Sequence, residues 1–286
     1  MTPMERGRLV VLAGLVVLTL GAWALTVYQA ETMDMGMGVV ARGSAPPLDA
    51  GGMDGMAMGD TGGMAMSGMT GAEWSLSSAA TFLGVWAAMM AAMMFPAVAP
   101  MLLLFQTIST KRQAQGGAIV PTWVFAAGYF LVWTAIGAVT YVLVQLGSDL
   151  ASRLGTADRG TWAPIALGTT LVLAGLYQLT PLKRVCLDHC RTPLGFVMTH
   201  WREGRLGALR MGIVHGAYCL GCCWALFAVL VAAGVMSLAW MLLLTLVVFA
   251  EKVLPVGRRT ALAVGVAFLV LGTLVAVGAT GMPWTV

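Results

Sequence analysis

Residues 211–224 read MGIVHGAYCLGCCW. In a helix, His215, Cys219 and Cys222 fall at i, i+4 and i+7 and share one face, with Cys223 one position further round. The surrounding residues are apolar over a spanning length, and an ionisable group in such a helix marks function by default because burying it is costly. Thiolate and imidazole together select a soft or borderline ion: Cu(I) above all, with Zn(II) or Ag(I) as alternatives. A lone cysteine in an apolar helix is a small filler. Three cysteines and a histidine within nine residues weigh toward a metal or redox role.

Further donors lie along the chain. The loop 182–207 is strongly basic and holds Cys186, Asp188, His189, Cys190 and His200. Its Cys-x2-His-Cys is a compact soft-ligand cluster, although the usual zinc pattern needs a second pair elsewhere. The stretch WAAMMAAMMFPAVAP places Met89 and Met93 on one face, next to Met90 and Met94. Pro96 and Pro100 each free a backbone carbonyl one turn earlier and kink the helix. Glu251 falls at nearly the depth of Cys219 when residues are counted from the turn near Gly234; there a carboxylate can ligate metal, orient His215 or carry a proton. The competing reading pairs Glu251 with Lys252 at the membrane interface. Gly212 and Gly216 form a small-xxx-small pair that lets another helix approach closely.

The elements that must position these residues follow from hydropathy. Of 286 residues, 59% are hydrophobic and 10% charged, against about 25% charged in soluble domains. The chain reads as an all-α polytopic membrane protein with about seven transmembrane helices, at 9–28, within 77–108, and at 121–146, 162–181, 208–233, 237–254 and 260–280. All 16 lysines and arginines except Arg42, Arg153 and Arg159 fall on one side. That bias puts the N-terminus in the cytoplasm and the C-terminus outside, in a bacterial cytoplasmic membrane. The organisation is a transmembrane anchor over 1–28, an outside loop over 29–76, a metal-binding core of five helices over 77–257 and a last helix over 258–286. The net charge of +4 gives no case for nucleic acid. No Gly-x4-Gly-Lys-Ser/Thr loop occurs, nor a nucleophile–base pair for hydrolysis, so no enzymatic activity is expected.

The outside loop is a low-complexity Gly/Met/Ala/Asp segment with too few large apolar residues to fold. It carries nine of the 21 methionines, as Met33, Met35 and Met37, then Met53, Met56 and Met58, then Met64, Met66 and Met69. Neutral thioethers favour Cu(I) or Ag(I) over Zn(II), and glycine lets closely spaced methionines wrap one ion.

Three stretches, WAAMMAAMMFPAVAP, YQLTPLKRVCLDHCRTPLGF and RMGIVHGAYCLGCCWAL followed by WMLLLTLVVFAEKVLP, together resemble a bacterial family described as predicted metal-binding integral membrane proteins. The resemblance covers roughly residues 78–257. It implies that Met89, Met90, Met93, Met94, Cys186, His189, Cys190, His215, Cys219, Cys222, Cys223 and Glu251 belong to the family's pattern. The methionine-rich loop lies outside the matched region.

These features lead to one expectation and two alternatives. The expectation is copper handling: the outside loop collects Cu(I), passes it to Met89 and Met93, and then to the tighter His215/Cys219/Cys222 set, with a copper chaperone or a membrane copper enzyme as partner. One alternative is a thiol–disulfide electron carrier built on Cys219-x2-Cys222 and Cys186-x3-Cys190. The other is a non-catalytic subunit or assembly factor of a membrane metalloenzyme.

Overall fold

The computed structural model describes residues 3–32, 75–117, 120–153, 159–233 and 237–278. The methionines at 33, 35, 37, 53, 56, 58, 64, 66 and 69 lie outside the described residues, as does most of the 29–76 loop. Among the described residues the fold is all helical, in the order α1 (Pro3–Thr32), α2 (Leu76–Ala114), α3 (Thr122–Arg153), α4 (Arg159–Leu179), α5 (Pro181–Arg191), α6 (Pro193–His200), α7 (Gly204–Ala233), α8 (Leu238–Val253) and α9 (Gly257–Ala276).

Five of these, α1, α2, α3, α7 and α9, are long and apolar enough to cross a membrane. Helices α4 and α5 qualify together as a sixth, bent by 66° at the break between them. The sequence reads as seven spans; the remaining one corresponds to α8, which has 16 residues. At 1.5 Å per residue it is about 24 Å long, short of a hydrocarbon core of about 30 Å. Ser237 caps its start by accepting from the Trp240 N–H, and Pro255 follows its end.

The breaks around α5 are written in its caps. Thr180 accepts from the Lys183 N–H, and Pro181 occupies the first turn, where a missing N–H costs nothing. Thr192 and Pro193 then separate α5 from α6. Two contacts fix α5 against the α8–α9 corner. Arg191 Nη2 donates to the carbonyls of Leu254 and Pro255 at 2.9 and 3.1 Å, and Arg258 forms a two-pronged pair with Asp188 at 3.1 and 2.7 Å.

Helix α7 lies at the centre, in contact with α3, α4, α5 and α8. Its approach to α3 is backbone to backbone. A Cβ on Gly212 would stand 2.1 Å from the Phe125 carbonyl oxygen, and one on Gly128 would stand 2.2 Å from that of Leu209. Gly216 continues the seam against Val132. The small-residue spacing thus does bring a neighbour into reach, and that neighbour is α3. Helices α4 and α9 meet in the same manner through Gly168 with Gly272 and Gly175 with Gly265.

Pro96 lies inside the continuous helix α2 and leaves one carbonyl without its helical donor. Pro96 cannot donate to the Ala92 carbonyl, and the indole N–H of Trp23 on α1 donates to it instead, at 3.1 Å. Thus α1 docks on α2 at the point where the helix has a carbonyl to spare.

Replacing Gly212 with valine is expected to cost at least about 3 kcal/mol by forcing α3 and α7 apart, read as a lower unfolding midpoint in detergent. Gly84, with nothing within 4 Å of its would-be Cβ, is the control: Gly84→Ala should stay within about 0.5 kcal/mol of the parent.

Candidate metal centre

The face of α7 that carries the thiols turns inward. His215, Cys219, Cys222 and Cys223 are 3%, 1%, 1% and 0% exposed. None of these side chains faces lipid or solvent.

Four sulfurs gather there. Cys222 Sγ lies 3.8 Å from Cys190 Sγ on α5 and 3.4 Å from Cys223 Sγ. The Cys222 thiol also donates to the Cys219 carbonyl at 3.1 Å. All five cysteines are free. Cys186, one turn before Cys190, is half-buried with its sulfur against Gly221, where a Cβ would come within 2.7 Å. The positions i and i+4 on α5 thereby seat both of its thiols on α7. Among the described residues no set of three or more His, Cys, Asp and Glu side chains stands ready as a metal-holding group. The close approach is pairwise, sulfur to sulfur. A separation of 3.8 Å would let both sulfurs ligate one soft ion together with a further donor from the cluster.

Cys219 has partners of a different kind. Lys252 Nζ donates to its sulfur at 2.9 Å, and the Tyr129 hydroxyl is hydrogen-bonded to it at 3.0 Å. Lys252 is 8% exposed. A buried ammonium needs an opposite charge, and the acid it touches is this thiol. The ammonium and the phenol are thus both within hydrogen-bond distance of the Cys219 sulfur.

Glu251, the preceding residue, is engaged elsewhere. Its Oε2 accepts from Lys183 Nζ at 2.7 Å and its Oε1 from Gln178 Nε2 at 3.0 Å. Lys183 and Glu251 are each 1% exposed, and Lys183 also bonds the Gln178 oxygen. Neither Lys252 nor the membrane interface supplies the partner of Glu251. The Glu-Lys dipeptide instead feeds two separate buried contacts, one toward α4 and α5 and one toward α7.

His215 sits one turn before Cys219 in an aromatic box, its ring centroid 5.9, 6.0 and 5.1 Å from those of Phe125, Tyr129 and Phe196. Its Nδ1 is buried without a hydrogen-bond partner among the described residues. Tyr129 touches both His215 and Cys219, so it joins the imidazole to the thiol layer. His189 stacks flat on Tyr218 at 4.2 Å and 6°, with Nδ1 bonded to the Val185 carbonyl at 2.8 Å. His200 stacks on Phe196 at 4.6 Å. Met89, Met90, Met93 and Met94 are all 1% exposed or less. They belong to the same apolar core as the thiols, and at i, i+1, i+4 and i+5 they share one arc of α2 about 140° wide.

Three participants escape a search for soft ligands. Lys252 and Lys183 are ordinary membrane-end cations by sequence, and Tyr129 is one aromatic among many in α3. The available signal was the Glu251-Lys252 dipeptide inside an apolar helix, which demands two partners and not one.

A helical bundle with several helices of membrane-crossing length, carrying thiols packed sulfur to sulfur in its core, has the donors for a soft ion. Residues 83–275 match the PpoB2 family, described as a copper chaperone, and the match covers more than half of the chain. The protein belongs to this family, and its role is copper-related. No curated protein matches the chain, and no solved structure does.

Lys183→Met alone should leave the Glu251 carboxylate buried and unpaired and lower stability by about 3–5 kcal/mol. The double variant Lys183→Met/Glu251→Met should recover most of the loss. Unfolding midpoints of the three proteins in one detergent check this.

Proposed function

We propose that the protein is an integral membrane carrier of Cu(I), which it holds between thiolates of α5 and α7. The observation that carries this reading is the 3.8 Å approach of Cys190 to Cys222, with Cys223 and Cys219 beside them. Two sulfurs suffice for a soft monovalent ion, and a dry apolar surround strengthens their hold on a cation. The description of the family as a copper chaperone supports the identity of the cargo. Apolar side chains on the outer faces of the bundle support insertion in lipid, such as Val10, Val17 and Leu20 on α1 and Leu173 and Leu176 on α4.

On this reading Cys222 and Cys190 are the primary ligands. Cys223 and Cys219 are alternates within the same cluster, and His215 adds an imidazole with an open nitrogen. Met33 to Met69 collect the ion outside, and the buried methionines of α2 line its way as neutral, exchangeable donors. Cys186 and His189, less buried than Cys190's partners on α7, form the side from which the ion leaves toward a chaperone or a copper enzyme. Glu251 serves the bundle through Lys183 and takes no metal.

A thiol-redox reading rests on the same pair. Cys190 and Cys222, on different helices with their sulfurs 3.8 Å apart, are near enough to join with a small shift, whereas Cys219 and Cys222 on one unbroken helix are poorly set for a disulfide. Thiol trapping across a reductant series separates the readings. A Cys190–Cys222 disulfide that forms and reopens in cells favours electron transfer.

The primary test is copper per polypeptide. The purified full chain should hold about one Cu(I) that survives deletion of residues 31–70 and is lost in Cys190→Ser/Cys222→Ser. Copper retained by that double variant when residues 31–70 are also deleted would remove Cys190 and Cys222 as the primary ligands.

A further inference from the structure

We propose that the corner between α5 and α9 holds the phosphate headgroup of an anionic phospholipid. The inference rests on the reading that the bundle sits in lipid, and the thiols take no part in it. The corner is a cavity of about 650 Å³, lined by Asp188 and Arg191 near the end of α5 and by Val256, Arg258 and Arg259 at the start of α9. Small ligands bind in cavities of about 300–1,000 Å³. Three arginines meet one carboxylate there. Asp188 is committed to Arg258 through the two-pronged pair. Arg191 gives its Nη2 to two carbonyls, which cancel no charge, and its Nη1 has no hydrogen-bond partner among the described residues. Arg259 is exposed and has no carboxylate partner among the described residues. Two guanidinium charges thus stand unanswered at one cavity, and guanidinium keeps its charge at any working pH.

The start of α9 adds to this field. Its first turn holds Arg258 and Arg259 and no acid, and no side chain among the described residues caps it. A helix N-terminus carries partial positive charge and free N–H groups, so arginines placed there stand against the macrodipole. An anion seated between them answers the helix end and the guanidinium groups together, and arginine binds phosphate through paired N–H donors.

The surroundings select a lipid over a free anion. Helix α5 turns 66° away from α4, and its exposed residues divide by side. Leu182 and Val185 lie on one flank; Arg184, Asp188 and Arg191 lie on the opposite one. A helix so divided lies along a membrane surface, with its apolar flank in lipid and its basic flank among headgroups. Val256 lines the cavity, Leu254 precedes it by two residues, and both are exposed. They offer acyl chains an apolar surface beside the phosphate position. Basic pockets between membrane helices recognise acidic headgroups by this combination.

The test titrates the full chain in neutral detergent micelles with phosphatidylglycerol or phosphatidylcholine and counts bound lipid by native mass spectrometry. The parent should prefer phosphatidylglycerol by at least about tenfold. In Arg258→Gln/Arg259→Gln the two lipids should bind within about threefold of each other. Arg259→Gln alone leaves the Asp188–Arg258 pair intact and should fall between the two. Both side chains are exposed, so neither change threatens the fold. Arg205, also exposed, lies outside the cavity on the same basic side of the chain; Arg205→Gln should keep the preference within about twofold of the parent. An equal loss in Arg205→Gln and Arg259→Gln overturns the site, because the attraction then belongs to the basic surface as a whole. Displacement of bound phosphatidylglycerol by inorganic phosphate at equal concentration overturns the lipid assignment. Flotation of the parent with phosphatidylcholine vesicles separates these failures from failure of the underlying reading. If the chain does not enter the vesicles, the membrane reading and the inference both fall; if it enters them and shows no preference for phosphatidylglycerol, only the headgroup site falls.

Discussion

Two ammonium groups sit inside an apolar bundle, and the structure is arranged so that neither is left alone. Lys183 meets Glu251 at 2.7 Å and Lys252 meets Cys219 at 2.9 Å. An unpaired ion at such depth costs several kcal/mol, so each contact fixes where helices go. The first holds α5 to α8, since Lys183 opens the one and Glu251 closes the other. The second holds α8 to α7. Because Glu251 and Lys252 are consecutive, one short helix is pulled in two directions at once, and its end is pinned between α5 and α7. Position of the thiols follows: with α5 and α7 both fastened to the end of α8, Cys190 has little choice but to face Cys222.

Backbone polarity is settled by the same logic. Pro96 leaves the Ala92 carbonyl without its helical donor, and Trp23 supplies one. The close α3–α7 seam at Gly128 and Gly212 exchanges side-chain packing for backbone proximity. It is this proximity that lets Tyr129 reach both Cys219 and the His215 ring. Fold and site are therefore not separable layers here. The glycines that let two helices touch also deliver the phenol that bonds the Cys219 sulfur.

Much of this was legible from residue order. The i, i+4, i+7 spacing of His215, Cys219 and Cys222 on one helix places all three inside, and the Gly212/Gly216 spacing marks the seam. The freed carbonyl at Pro96 follows from the chemistry of proline. What residue order does not reveal is which nonlocal partner each buried group takes. Depth counting set Glu251 level with Cys219, but adjacent residues on a helix point about 100° apart, and it is Lys252 that faces the sulfur. Cys190 looked like part of a loop cluster with Cys186 and His189. The Thr180-Pro181 start and Pro193 stop instead make that segment a helix of its own, and it lays its cysteines on α7 while leaving His189 stacked on Tyr218. The α2 methionines at 89, 90, 93 and 94 share one arc of the helix about 140° wide and are all buried, so periodicity alone cannot single out Met89 and Met93.

A carrier has to release what it binds, and the split ownership of the sulfurs bears on that. Cys222, Cys223 and Cys219 belong to the 30-residue helix at the centre of the bundle, whereas Cys190 belongs to an 11-residue helix. The remaining ties of that short helix include the exposed Asp188–Arg258 pair and the Arg191 contacts to two carbonyls. Exposed ion pairs contribute little, about 0–1 kcal/mol. The buried Lys183–Glu251 pair anchors the start of α5, while Cys190 lies near its far end, beyond nearly two turns. On the proposed reading, an ion shared between Cys190 and Cys222 would be held by one donor on a fixed wall and one at the less firmly tied end of a lever. Lengthening a single metal–sulfur contact there opens a coordination position without disturbing the core. A site whose ligands all came from α7 would lack that freedom, which is why the placement of Cys190 bears more heavily on a transfer function than the number of thiols around it.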